Sequence, residues 1–119
     1  MHFFDSYAFI EIIRGNPNYS RFRESEIATS KLNLMEVYYY ILRKFGKEAA
    51  DKFYDDAVQY SIEIADSEMK NAMFFRLQNK SLNLSYVDCI GYVLARSSGL
   101  KFLTGDIQFK DMSNVEFVK

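Results

Sequence analysis

Apolar residues recur along this chain with two periods, and their alternation sets the first expectation about its fold. His2–Phe4 is a short strand-like apolar run, closed at once by Asp5-Ser6. Ala8, Phe9, Ile12 and Ile13 then repeat at helical spacing across Tyr7–Arg14, until Gly15-Asn16-Pro17 ends them. Tyr19–Ser25 reads as a short polar helix or turn, and Ile27–Thr29 as a second short strand. Asn33 opens a helix to about Phe45, with Leu34, Val37, Tyr38, Ile41, Leu42 and Phe45 as its apolar stripe and Gly46 as its stop. Another helix runs from Lys47 to about Tyr60, and Ile62–Ala65 alternates like a strand. Asp66 is placed to cap a helix from Ser67 to about Asn79, built on Met69, Ala72, Met73 and Leu77. Ser85 opens the best-defined helix, Tyr86 to about Ser98, which Gly99 terminates. Leu100–Thr104 and Val115–Val118 complete the strands. Strands alternating with helices predict an α/β layer fold around a mostly parallel sheet.

Length and composition narrow this picture. The 119 residues are expected to form one domain, 1–119, with one core, and the 49% apolar content is ample to fill it. A net charge of -1 argues against a polybasic nucleic-acid binder, while leaving room for local phosphate contacts. Cys89 is the single cysteine, so no internal disulfide can form, which fits a reducing compartment. Neither a signal peptide nor an apolar run long enough to span a bilayer is seen, so a cytoplasmic address with no membrane partner is expected.

The candidate chemistry is acidic. Asp5 and Asp106 each follow a short apolar strand pattern, and ligands of open α/β sheets bind beyond the carboxyl ends of strands. Either residue alone is equally at home as a turn or cap. Glu36 and Asp88 stand three residues after Asn33 and Ser85, the spacing of a capping box, and a cap explains both without chemistry. A carboxylate has two oxygens, however, so capping and metal binding need not compete. With one histidine, His2, and one cysteine, a structural zinc site is excluded; an all-oxygen donor set favours Mg²⁺ or Mn²⁺. His2 and Cys89 read as packing residues. Tyr38-Tyr39-Tyr40 could stack bases or serve the core. Arg21, Arg23, Arg43, Lys44 and Lys47 read as solvated surface or, on an RNA-directed protein, as phosphate contacts.

Four segments taken together resemble the PIN domain, most closely the VapC-type toxins: Phe4-Asp5-Ser6, Asn33-Leu34-Met35-Glu36-Val37, Leu84-Ser85-Tyr86-Val87-Asp88-Cys89-Ile90, and Leu103-Thr104-Gly105-Asp106-Ile107-Gln108-Phe109. The resemblance implies a three-layer α/β/α sandwich with an acidic cluster at one edge of its sheet. It implies a divalent-metal-dependent ribonuclease that cleaves RNA with a metal-activated water. Asp5, Glu36, Asp88 and Asp106 would be the metal-binding, catalytic carboxylates, with Ser6 and Thr104 as supporting hydroxyls. A small antitoxin protein and a homodimer are the implied partners, and Tyr7, Phe9, Phe22, Tyr39, Phe74 and Phe75 could supply such interfaces or simply fill the core. A family nuclease without an antitoxin, or a non-catalytic RNA- or protein-binding module, are the alternative readings. Family members often carry a further aspartate at the place held here by Gln108; Asp111 is nearby but out of register.

Overall fold

Short apolar runs become strands only when neighbours complete their hydrogen bonding, and here each run finds parallel partners. The computed structural model describes residues 1–119. Its elements are β1 (His2–Phe4), α1 (Ser6–Ile13), a 3₁₀ turn (Pro17–Phe22), β2 (Ile27–Ala28), α2 (Lys31–Phe45), α3 (Lys47–Ala57), α4 (Asp66–Gln78), α5 (Tyr86–Ser97), β3 (Lys101–Thr104) and β4 (Val115–Phe117). The four strands form one sheet in the order β2-β1-β3-β4, and every pairing is parallel. The three-layer α/β/α sandwich expected from the sequence is therefore present.

The pleat divides the core. Phe4 pairs with Leu103 and faces α1, α2 and α3, joining Phe9, Leu34, Val37 and Ile41. Phe3 pairs with Phe102 and faces α4 and α5, joining Phe75, Ile90, Tyr92 and Leu94. From β1 the chain moves one way to β2, then returns past β1 to β3. Right-handed crossovers in opposite directions put their helices on opposite faces, so the C-terminal ends of β1 and β3 flank a topological switch point.

Several expectations change. Ile62–Ala65 is not a strand. Beyond an isolated bridge between Thr29 and Ser61 it has no partner, and Ile62 and Ile64 meet their need for burial by packing on the α4–α5 core as a loop. The helix expected to open at Asn33 begins at Lys31, because the Ser30 hydroxyl accepts the Asn33 N–H and is the true cap. Asp66 lies inside α4 rather than capping it; the cap position is Ala65, whose N–H donates to Glu68. The predicted stripe of α4 is also displaced. Ala72 and Phe75 are buried, Phe75 stacking on Tyr92 at 4.8 Å, whereas Met69, Met73 and Leu77 are exposed. Leu42 and Phe45 are exposed likewise. Among the aromatics, Phe9, Phe22 and Phe75 are core, Tyr7 is half-buried, and Tyr39 and Phe74 are exposed.

Candidate active site

The switch point is where the acidic residues gather. Asp5 follows β1 directly and caps α1: its Oδ1 accepts the Ser6 N–H at 2.8 Å. Parallel register sets it beside the end of β3, where the Thr104 hydroxyl donates to Asp5 Oδ2 at 2.7 Å. Thr104 Oγ1 also accepts the Asp106 N–H at 3.1 Å, which ties two of the acidic residues through one hydroxyl. Asp106 in turn accepts the Gln108 N–H at 3.0 Å, capping a short 3₁₀ turn.

Helix α2 brings the third carboxylate. The Ser6 hydroxyl donates to Glu36 Oε1 at 2.5 Å, so Glu36 does not serve as the cap partner expected of it. That expectation failed because the helix starts earlier, which moves Glu36 into its second turn. Asp88 fulfils its expected cap role on α5, exchanging hydrogen bonds with Ser85: Ser85 N–H to Asp88 Oδ2 at 2.8 Å, and Asp88 N–H to Ser85 Oγ at 3.0 Å. Gly91 lets α5 lie close over the sheet. A Cβ there would come within 3.2 Å of the Phe102 ring and 3.4 Å of Asn33 Oδ1. Gly105 is equally constrained, since a Cβ would stand 2.3 Å from the Val118 carbonyl and 2.4 Å from the Tyr7 ring. Glycine here allows the Thr-Gly-Asp segment to pack against the start of α1.

One positioning residue escaped sequence reasoning. Asn33 is fully buried, and its Nδ2 donates to Ser6 Oγ at 3.1 Å and towards Asp5 Oδ1 at 3.4 Å, while Ser30 donates to its Oδ1 at 2.6 Å. It fixes β1, α1 and α2 relative to one another. The available signal was an amide four residues before Val37 and eight before Ile41, on the face that enters the core.

The electrostatics set this cluster apart. Burial pushes Asp5 from the ordinary 3.8 up to about 7; the Thr104 hydrogen bond opposes the rise, and the charge of Asp88 adds to it. Burial also raises Glu36 and Asp88, with the charge of Asp88 acting on the former and that of Asp106 on the latter. No arginine, lysine or histidine forms an ion pair with any of the four. The donor set fits a hard divalent ion: each of Glu36, Asp88 and Asp106 keeps one oxygen that accepts no hydrogen bond from the protein. As the side chains stand, no three acidic, histidine or cysteine groups are gathered tightly enough to clasp an ion. Each carboxylate is instead turned to its own local donor.

The other predicted residues lie elsewhere. Arg21 stacks over Phe22 and stands 3.9 Å from Glu116, beside His2 at the opposite, N-terminal edge of the sheet. Arg23 donates to the Ile12 carbonyl in the last turn of α1, about 9 Å along that helix from Ser6. Arg43 and Lys44 occupy the last turn of α2, about 10 Å along it from Glu36, and Lys47 is paired with Asp51. Cys89 is fully buried, and burial pushes its thiol up to about 11, as befits a core residue. Gln108 accepts the Asn83 N–H at 3.4 Å; Asp111 is exposed. No helix is long and apolar enough to cross a membrane.

Known proteins share this fold. The fold is similar to a toxin–antitoxin complex from Klebsiella pneumoniae (TM-score 0.78, 19% identity, covering 98% of this chain and 96% of that one). It is similar to Mycobacterium tuberculosis VapC20, a toxin that cleaves the sarcin–ricin loop (TM-score 0.79, 17% identity, 100% of both chains). It is similar also to VapBC2 from Rickettsia felis bound to a DNA fragment from its promoter (TM-score 0.70, 18% identity, 99% and 98%). No curated protein matches the sequence. The PIN domain profile covers residues 2–115, nearly the whole length, and the chain belongs to the PIN domain family.

Proposed function

We propose that this protein is a divalent-metal-dependent endoribonuclease and the toxin of a toxin–antitoxin pair. The observation that carries the reading is a carboxylate cluster without a cation. Asp5 is buried, Glu36 and Asp88 are raised by the same loss of water, and none forms an ion pair. Proteins seldom leave buried acids uncompensated unless something else supplies the charge.

Asp5, Glu36, Asp88 and Asp106 would hold Mg²⁺ or Mn²⁺. Such an ion supplies positive charge for a scissile phosphate and makes a water more acidic. The protein's own groups do the positioning. Thr104 aims Asp5 and the backbone of Asp106 together, and Ser6 aims Glu36. Asn33 holds Ser6, and Ser85 holds Asp88. No side-chain nucleophile is required, which agrees with a buried, poorly ionising Cys89. The toxin reading draws on the likeness to toxin chains solved with partners, and on exposed apolar side chains at Tyr39, Phe45, Phe74 and Leu77 that could face an antitoxin or a second copy in a homodimer.

A second reading, a non-catalytic binding module, draws on the spread of the carboxylates in this state. Cleavage of single-stranded and structured RNA, measured with Mn²⁺ or Mg²⁺ and with chelator, separates the two. Metal-dependent cleavage lost in Asp88→Asn supports the nuclease. Equal cleavage by both proteins, or none by either, removes it.

A further inference from the structure

A cavity of about 460 Å³ adjoins Asp106, lined by Asn79, Leu82, Ile107, Gln108, Asp111 and Met112. Two connections fix its place. Ile107 directly follows Asp106, and the Gln108 N–H donates to Asp106 Oδ1 at 3.0 Å, so one wall is the turn that Asp106 caps. The other wall belongs to the loop that runs from Asn79 to Ser85, and Ser85 caps Asp88. The Gln108 side chain joins the two walls, its Oε1 accepting the Asn83 N–H at 3.4 Å.

Both walls are held from behind. Leu82 and Met112 pack on the α4–α5 core; the Leu82 N–H donates to the Asn79 carbonyl at 2.9 Å, and the Met112 N–H to the Phe109 carbonyl at 3.1 Å. The volume falls within the range of small-ligand pockets, about 300–1,000 Å³. The polar lining is only partly used by the protein. Asn79 Nδ2 donates to the Phe75 carbonyl at 2.9 Å, which leaves its Oδ1 free. Gln108 Oε1 is taken, which leaves its Nε2 free. Asp111 is exposed and pairs with no cation. The cavity therefore offers two acceptor groups and one donor group among the apolar side chains of Leu82, Ile107 and Met112.

We infer that this cavity is a base-recognition subsite for the RNA strand at the acidic cluster, and that the base it takes is guanine. Bases splayed from a single strand are read on their Watson–Crick edges. Guanine presents two donor groups there, N1–H and the 2-amino group, beside one carbonyl acceptor, O6. Asp111 and Asn79 Oδ1 accept from the two donors, and Gln108 Nε2 donates to O6. Leu82, Ile107 and Met112 cover the ring. Adenine, cytosine and uracil each bring only one donor group to that edge, so one acceptor of the cavity stays unmatched with any of them. The inference rests on the ribonuclease reading for its substrate, and Asn79, Gln108 and Asp111 serve as specificity residues.

The test uses the full chain and fluorescent oligouridylates that carry one central guanosine, inosine or adenosine, or none. Binding is followed by anisotropy in Ca²⁺, and cleavage separately in Mn²⁺. The wild type is expected to bind the guanosine strand about tenfold more tightly than the adenosine strand, with inosine, which lacks the 2-amino group, in between. Asp111→Ala and Gln108→Met are each expected to erase most of that preference and to leave affinity for the all-uridine strand unchanged. Residues that merely braced the loop would lower the melting temperature and weaken every strand alike, and that result overturns the inference. So does equal affinity of the wild type for the guanosine and adenosine strands, a preference that survives in the surface variant Asp111→Ala, or no binding of any strand. Guanosine-selective binding with no cleavage by any protein upholds the subsite and removes the nuclease reading. Metal-dependent cleavage of all strands with equal affinity upholds the nuclease and removes the subsite.

Discussion

Asp51 and Asp5 are the same side chain in opposite surroundings. Asp51 sits on the surface of α3, accepting from Lys47 Nζ at 2.7 Å and from Tyr38 Oη at 2.7 Å, and the Lys47 hydrogen bond leads in pulling its pKa below the ordinary value. Asp5 sits at the end of a central strand with hydroxyl, amide and backbone N–H donors, no cation, and a pKa pushed by burial up to about 7. The first arrangement is the ordinary way to place an acid on a folded protein. The second keeps an acid where folding disfavours its charge, and the surrounding donors orient the carboxyl group without supplying a compensating charge. What the contrast teaches is that the sheet edge leaves its acids without a compensating cation, while the α2–α3 surface supplies Asp51 with one.

The widest separation between the two regions should appear in catalysis. Asp5→Asn and Asp88→Asn are each expected to lower Mn²⁺-dependent RNA cleavage by on the order of a hundredfold or more, at least the loss typical of a metal site's outer partners. Asp51→Asn should cleave at the wild-type rate. Cleavage assays on the three variants side by side would break the comparison if Asp51→Asn lost activity as the others do.

Next in size is the pH dependence of the metal-free protein. Between about pH 4 and pH 7 the unfolded chain ionises Asp5 while the folded chain keeps it protonated. Stability from this group is therefore greatest at the acid end and is lost as pH rises through 7, by on the order of 4 kcal/mol. Glu36 and Asp88, also raised, act in the same direction. Thermal melts across this range should show a steeper fall for the wild type than for Asp5→Asn, and added Mn²⁺ should flatten it.

Smaller again is the loss of one orienting donor. Thr104→Val removes the hydroxyl that joins Asp5 to the Asp106 backbone and should cost about 1–3 kcal/mol by chemical denaturation, with cleavage reduced about 10–100-fold. Smallest is the surface pair: Lys47→Gln should move the melting temperature by no more than about a degree, because exposed ion pairs contribute little.

Much of this was legible in the chain, for reasons that differ by residue. Asp5 and Asp106 were marked by the short apolar runs before them, and the parallel pairing of β1 with β3 then brings the two ends together. Asp88 was readable because Ser85 supplies the cap that its spacing demands. Glu36 was less legible: Asn33 reads as a cap with Glu36 as its partner, whereas the actual cap is Ser30, and two good capping residues three apart give the same signal. The Ile62–Ala65 alternation misled because a loop that buries two isoleucines produces the same period as a strand. The exposed stripe of α4 could not be read from periodicity, since the face a helix turns inward depends on which neighbour exists. The surface basic residues carry no pattern that fixes their distance from the cleft.

The central claim, that acids from four separate elements together receive a hard cation, is tested most directly by calorimetric titration of Mn²⁺ into metal-free protein near pH 7 in buffers of different ionisation enthalpy. The account predicts saturable binding whose heat varies with the buffer, since an Asp5 that titrates at about 7 must give up its proton, and sharply weakened binding in Asp5→Asn. Binding of equal strength by Asp5→Asn, or no binding at millimolar Mn²⁺, would contradict it.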